Sequence, residues 1–422
     1  MNPTDQLNAD LRSTAPAAWR CLSPLGRRAI MPRGIVAQSA EASSSELNCT
    51  IGQITDGHGN AMPVDSLARH LSDLDDGMSH LYSPMAGHPA LRQAWAERQR
   101  RLSGGSTAPA SVDMVTLGLT QGVSHLAALF ADEDTDVVVT DPRWGNYDHV
   151  MGFHAGARMV SYPYFRDDRF NVEGLRDALA RVRGKAIVIL NFPGNPTGYT
   201  PTPELAAQIV DVLTAHHGPA VVVVDDAYAG LFFEEGLHTR SLYWDLVEKA
   251  DPERLFVVRL DGATKELLFF PGRIGFLTHP AQGVGAKALQ NKLMATSRAT
   301  VGSPPGPSQA MVYAALQNPK LEDELAERVG LLQRRCRLLR QLLDDAPTDR
   351  LSPYPFNSGC FALVGVEPSV DAEQLRLRLL RDYDVGVIAI PSVNAIRLAY
   401  CSIAEENLPE VVARVSRAVD AV

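Results

Sequence analysis

No apolar run in this 422-residue chain approaches the roughly 20 residues that a membrane-spanning helix requires, so no spanning helix is expected. Cysteine is scarce: Cys21, Cys49, Cys336, Cys360 and Cys401 are scattered without the paired spacing of a metal site. That gives no support to a zinc centre and leaves five thiols expected to be reduced and to pack. Positive charge is in deficit, with 40 Lys and Arg against 49 Asp and Glu and a net charge of -9. Neither nucleic acid nor an acidic membrane surface is therefore an expected partner. Residues 1–10 are polar and lack a secretory apolar segment, which favours a cytoplasmic location. Internal repeats and low-complexity tracts are missing as well.

What remains is a globular composition, 45% hydrophobic and 21% charged, on a chain long enough for two or three domains. Residues 1–45 mix Pro, Ala, Ser and Arg without a sustained period and are expected to form an extended arm. Residues 46–310 are expected to form a large domain, with 46–110 belonging to it or shared with a small domain over 311–422. A helix over 91–101 stops at Ser103-Gly104-Gly105-Ser106, and strand-helix alternation then runs from 112 to 278. After Ser303-Pro304-Pro305-Gly306-Pro307 the pattern predicts one long helix over 309–343. Strands at 359–366, 385–390 and 395–402 follow, with helices over 371–381 and 405–422.

Four short β-branched runs, at 137–140, 186–190, 221–224 and 255–260, read as strands of a largely parallel sheet. Each ends within a few residues of a different polar or aromatic group: Trp144, Asn195, Asp225 and Lys265, with Arg273 eight residues beyond the lysine. Ligands of open α/β sheets sit beyond the carboxyl ends of the strands, so these side chains converge on one edge. That set suits pyridoxal 5′-phosphate. Lys265 is the amine that a carbonyl cofactor needs, and Arg273 offers a fork of donors for a phosphate. Asp225 can keep a pyridine nitrogen protonated, while Asn195 and Tyr228 can donate to the phenolic oxygen. Pro196 holds Asn195 extended. Trp144 can stack on a flat ring. Gly118-Leu119-Thr120-Gln121-Gly122, ahead of a helical run, can form an anion site. Arg397 shares a strand face with Ala395 and Ala399, which leaves space for a substrate carboxylate. Each residue alone has a plainer role open to it: a solvated lysine, a capping aspartate, a turn asparagine, a core aromatic, an interdomain ion pair.

Taken in this order, from Asn195-Pro196-Thr197-Gly198 through Asp225-Asp226-Ala227-Tyr228 to Thr264-Lys265 and Arg273-Ile274-Gly275, the motifs resemble the class I/II aminotransferases of the aspartate aminotransferase superfamily. The resemblance implies pyridoxal-phosphate fold type I: a large domain with a mainly parallel sheet flanked by helices, and a smaller α+β domain. It implies that Lys265 is the Schiff-base lysine, that Asp225 pairs with the pyridinium nitrogen, and that Gly118, Leu119, Thr120 and Arg273 bind phosphate. Arg397 would hold the substrate α-carboxylate, beside Asn195 and Gly52. Tyr82 would reach the cofactor of a neighbouring subunit, implying a homodimer with shared sites, and Arg298 would meet an acidic substrate side chain. Two residues depart from the family pattern: Gly262 stands where a phosphate-binding serine is usual, and Pro271 where a small residue is usual. The implied activity is exchange of an amino group between an L-amino acid and a 2-oxo acid. A lyase, a decarboxylase or an annulating biosynthetic enzyme on the same fold is the alternative, because scaffold and cofactor do not fix which bond breaks.

Overall fold

The computed structural model describes residues 3–14, 16–22, 24–29, 34–68 and 74–421. Its centre is a seven-stranded sheet: β1 (Ser111–Leu117), β2 (Thr135–Asp141), β3 (Arg158–Pro163), β4 (Lys185–Asn191), β5 (Ala220–Asp225), β6 (Leu255–Gly262) and β7 (Ile274–His279), in the order β1-β7-β6-β5-β4-β2-β3. β2 to β6 run parallel, whereas β7 is antiparallel to both β1 and β6.

Valine and isoleucine runs form these strands because both faces are covered. Val137, Val139, Ile187, Ile189, Val223 and Leu260 pack on one face, and Val138, Val188, Val222, Val224 and Val257 on the other. A strand buried on both sides gains from apolar residues at every position and reads as a continuous run.

A second sheet of β8 (Leu351–Pro353), β9 (Ala362–Val366), β10 (Ile388–Ile390) and β11 (Ala395–Leu398) is wholly antiparallel, in the order β8-β9-β11-β10. Helices Leu321–Asp344, Ala372–Asp382 and Leu408–Asp420 accompany it. Leu47–Asn48 pairs in parallel with Val385–Gly386 in a separate two-stranded sheet, which ties the chain ahead of the large sheet to the segment leading into β10. Cys49, Cys336, Cys360 and Cys401 are free thiols, all buried in this part of the molecule and none in the seven-stranded sheet.

Two expectations are corrected. The N-terminal segment is helical rather than extended, with helices Pro3–Thr14, Pro16–Cys21, Pro24–Arg28 and Ile35–Glu41. Proline at the first helical position starts three of them, and the guanidinium groups of Arg12 and Arg27 lie 4.3 and 4.8 Å from the Trp19 ring centre. The single long helix over 309–343 is two, Gly306–Leu316 and Leu321–Asp344. Pro319 disfavours helical backbone at Asn318 and breaks the run.

Candidate active site

The carboxyl ends of β4, β5 and β6 deliver Asn191, Asp225 and, past the turn at Gly262, Lys265 to one cavity. Leu119, Thr120, Trp144, Tyr147, Asn195, Tyr228, Thr264 and Arg273 line the same cavity. Ten of the predicted residues can thus be placed directly. Lys265, Asp225, Tyr228, Asn195, Trp144, Leu119, Thr120 and Arg273 form the wall. Gly118 lies beneath it, and Arg397 lies behind Asn195.

Asp225 is almost fully buried and closes β5. Its Oδ1 accepts from the Ala227 N–H (3.0 Å) and its Oδ2 from the Tyr147 hydroxyl in a short bond. A carboxylate offers about four lone-pair sites, so half its capacity stays open toward the cavity. Burial pushes its carboxyl up to about 6, and the Tyr147 hydroxyl, the Ala227 N–H and the Lys265 amine pull it down. Asn191, the last residue of β4, donates from Nδ2 to the Asp225 carbonyl (2.9 Å) and accepts from the Asn195 N–H (2.8 Å). One side chain therefore fixes both the aspartate and the asparagine.

Lys265 stands in the short helix Ala263–Glu266, its ammonium nitrogen 5.2 Å from the centre of the Tyr228 ring. Burial pushes its amine down, opposed by Asp225 and Cys360 and aided by Arg273. Among the described residues it forms no ion pair. Thr264 Oγ1, buried beside it, has no hydrogen-bond partner.

The helix Gly118–Phe130 opens at the cavity, and its first-turn N–H groups have no intrahelical acceptor. Gly118 adopts φ +67°, and a Cβ there would stand 2.6 Å from Arg273 Nη2, so glycine lets the guanidinium close over the helix start. Arg273 has no carboxylate partner among the described residues.

Arg397 on β11 is 1 % exposed. Its Nη1 donates to Asn195 Oδ1 (3.0 Å) and its Nη2 to the Thr50 carbonyl (2.6 Å), while Nε has no partner. Because Arg397 can only donate, Asn195 must present its oxygen to it and its NH2 to the cavity. The guanidinium carbon lies 4.2 Å from the centre of the Phe361 ring. That ring occupies the space a Cβ on Gly52 would need, 2.4 Å away, which places Gly52 at the Arg397 end of the site. Burial pushes the Arg397 guanidinium down to about 10.

Tyr82 and Arg298 are not brought to this cavity. Tyr82 is 99 % exposed, and Arg298 ends the helix Gly283–Arg298 with its side chain in solvent. Tyr147, Asn191, Thr50, Thr264 and Phe361 escaped the sequence reading. Thr264 entered it only as part of the motif Thr264-Lys265, and the signal for Tyr147 would have been a second aromatic three residues after Trp144.

The mainly parallel sheet with an antiparallel sheet beside it is the α/β architecture of pyridoxal-phosphate fold type I. The chain belongs to the class I and II aminotransferases, whose family profile matches residues 45–415. It is 28% identical over 344 residues to an aspartate/prephenate aminotransferase of Thermus thermophilus, covering 80% of this chain and 82% of that one. It is 26% identical over 332 residues to an aromatic-amino-acid aminotransferase of Paracoccus denitrificans, covering 76% and 80%. Among solved structures, the α-aminoadipate aminotransferase of Thermus thermophilus, in complex with N-(5′-phosphopyridoxyl)-L-leucine, superposes with a TM-score of 0.78 at 20% identity, covering 95% and 98%.

Proposed function

We propose that this aminotransferase carries pyridoxal 5′-phosphate on Lys265 and works as a homodimer on an L-amino acid and a 2-oxo acid. The observation that carries the reading is a lysine and an aspartate facing one cavity without an ion pair between them. Opposite charges held apart in a low-dielectric space leave room for a molecule that contacts both. The donor set fits the cofactor: an aromatic face at Trp144, an open carboxylate at Asp225, the orphaned Thr264 hydroxyl, and an anion end made by Leu119, Thr120 and Arg273.

Pyridoxal phosphate, when bound, supplies an aldehyde that condenses with amines and a ring that accepts an electron pair from the substrate α-carbon. The chain's own residues do the rest. Asp225 holds the proton on the ring nitrogen. Asn195 Nδ2 and the Tyr228 hydroxyl would donate to the phenolic oxygen. Arg397 binds the substrate carboxylate and orients the α-carbon. Lys265 Nζ, whose amine burial pushes down toward the neutral form, would take the α-proton and return it. The buried wall of Tyr147, Tyr228 and Phe361 excludes water from that transfer. Tyr82, with exposed Leu81 beside it, is the residue we assign to the partner's site. We further propose a cytoplasmic enzyme, with the large domain over 46–310 and the small one over 311–422.

The relatives named above include acidic and aromatic specificities, and Arg298, supplied by a partner, would favour an acidic side chain. A half-reaction screen tests the whole reading. Purified enzyme mixed with single amino acids should convert its bound cofactor stoichiometrically and release the matching 2-oxo acid, and Lys265→Ala should abolish this. Release of carbon dioxide or of an elimination product without an acceptor would instead favour a lyase or decarboxylase.

A further inference from the structure

Behind the strand ends, away from Lys265, lies a second group of charges that the reaction does not use. Asp226, Arg259, Asp261, Glu266 and Arg98 are each at most 6 % exposed. Arg259 Nε donates to Asp226 Oδ2 (2.5 Å), and its Nη2 lies 3.3 Å from Asp261 Oδ2. Trp95 Nε1 shares its hydrogen between both Asp261 oxygens, 3.1 Å each. Arg98 pairs with Glu266 and, at the rim, with Glu322 (2.8 Å).

Stability does not account for such a network, because burying ions costs about as much as their attraction returns, and apolar replacements are often no worse. Position does. Asp226 follows Asp225, Glu266 follows Lys265, and Asp261 precedes Lys265 by four residues. Side chains alternate across a strand, so Val257, Arg259 and Asp261 share the face of β6 opposite Leu260. The same alternation turns Asp226 away from the cavity that Asp225 enters, into a cavity it shares with Arg259 and Glu266. The backbone tie between the two segments ends where the Asp226 N–H meets the Leu260 carbonyl (2.8 Å). Beside that bond the Arg259 side chain reaches from β6 to Asp226 and ties the two segments a second time.

We propose that Arg259 is a positioning residue: bonded at one end to Asp226 and at the other to Asp261, its guanidinium sets the strand end carrying Asp225 against the segment carrying Lys265. The inference rests on the assignment of Asp225 and Lys265 made above. A two-ended fork does this where a point charge such as lysine cannot. Burial pushes both aspartates up, and the Arg259 guanidinium opposes that rise in each.

The full-length protein provides the test, with its cofactor and after cofactor removal. Asp261→Asn keeps an acceptor for Trp95 and releases one end of the fork; Arg259→Lys keeps the charge and loses the fork. Each should bind pyridoxal phosphate about three- to tenfold more weakly, read by fluorescence quenching of the cofactor-free protein. The pH midpoint of the bound cofactor's absorbance should move by at least about half a unit. The melting temperature of the cofactor-free protein should change by less than about 4 °C. Wild-type affinity and midpoint in both variants would overturn the proposal, as would loss of fold in both, which makes the network merely structural. Failure of the wild type to take the cofactor on Lys265 would sink the functional assignment instead, so the two failures are distinguishable.

Discussion

Asp225 and Arg397 are both buried, and on the proposed function each finds its counter-charge in a ligand, which should show in the empty protein. The Asp225 carboxyl sits at about 6 against an ordinary 3.8, so between those values the folded chain binds more protons than the unfolded one. Stability present below pH 4 is then lost as pH rises through 6. A shift of two units corresponds to roughly 3 kcal/mol. Asp225→Asn should therefore make the cofactor-free protein more stable than its parent at pH 8, by roughly 1–3 kcal/mol, and no more stable at pH 4. Urea unfolding at the two pH values checks it; equal effects at both would contradict the burial argument. Arg397 bonds only to neutral oxygens and leaves Nε bare. Arg397→Met should raise the dissociation constant of carboxylate substrates about 100-fold or more, measured by titration of the cofactor spectrum. Reaction with a simple alkylamine, which has no carboxylate to place, should change little.

Among the elements, the start of the helix Gly118–Phe130 carries the sharpest steric demand. Gly118→Ala combines a positive φ with a contact on Arg273 and should weaken cofactor binding about tenfold, from a cost of about 1–2 kcal/mol. Gly145→Ala, where a Cβ would meet nothing within 4 Å, is the matched control and should bind as the wild type does. Equilibrium dialysis against the cofactor separates the two. How much could be read from the sequence also divides by element. The central strands were legible because burial on both faces writes unbroken β-branched runs, and their ends pointed to Trp144, Asn195, Asp225 and Lys265. The N-terminal helices were not, because Pro16–Cys21, Pro24–Arg28 and Ile35–Glu41 are each too short to repeat a period and part of the cohesion comes from two arginines on Trp19. Asn191 and Arg259 were illegible for a different reason. Their partners are set by strand register, Asn191 beside Asp225 and Arg259 beside Val224, which no local pattern encodes.

At the scale of the whole molecule, the exposed Tyr82 turns a question of assembly into one of complementation. If each site takes its lysine from one subunit and Tyr82 from the other, a mixed dimer of Lys265→Ala and Tyr82→Ala subunits contains one site with both lesions and one with neither. Random mixing of the two inactive variants should then restore about a quarter of wild-type activity. Sites confined to one subunit would restore none. The four sealed sulfurs offer a different kind of handle. Cys336 lies in the helix Leu321–Asp344, Cys360 and Cys401 flank strands of the smaller sheet, and Cys49 follows the Leu47–Asn48 segment. With Cys21 replaced by serine, alkylation by a small reagent becomes a stopwatch for that half of the protein alone. Capture slowed by substrate while exchange in the seven-stranded sheet stays constant would time one half breathing against the other, with no label added.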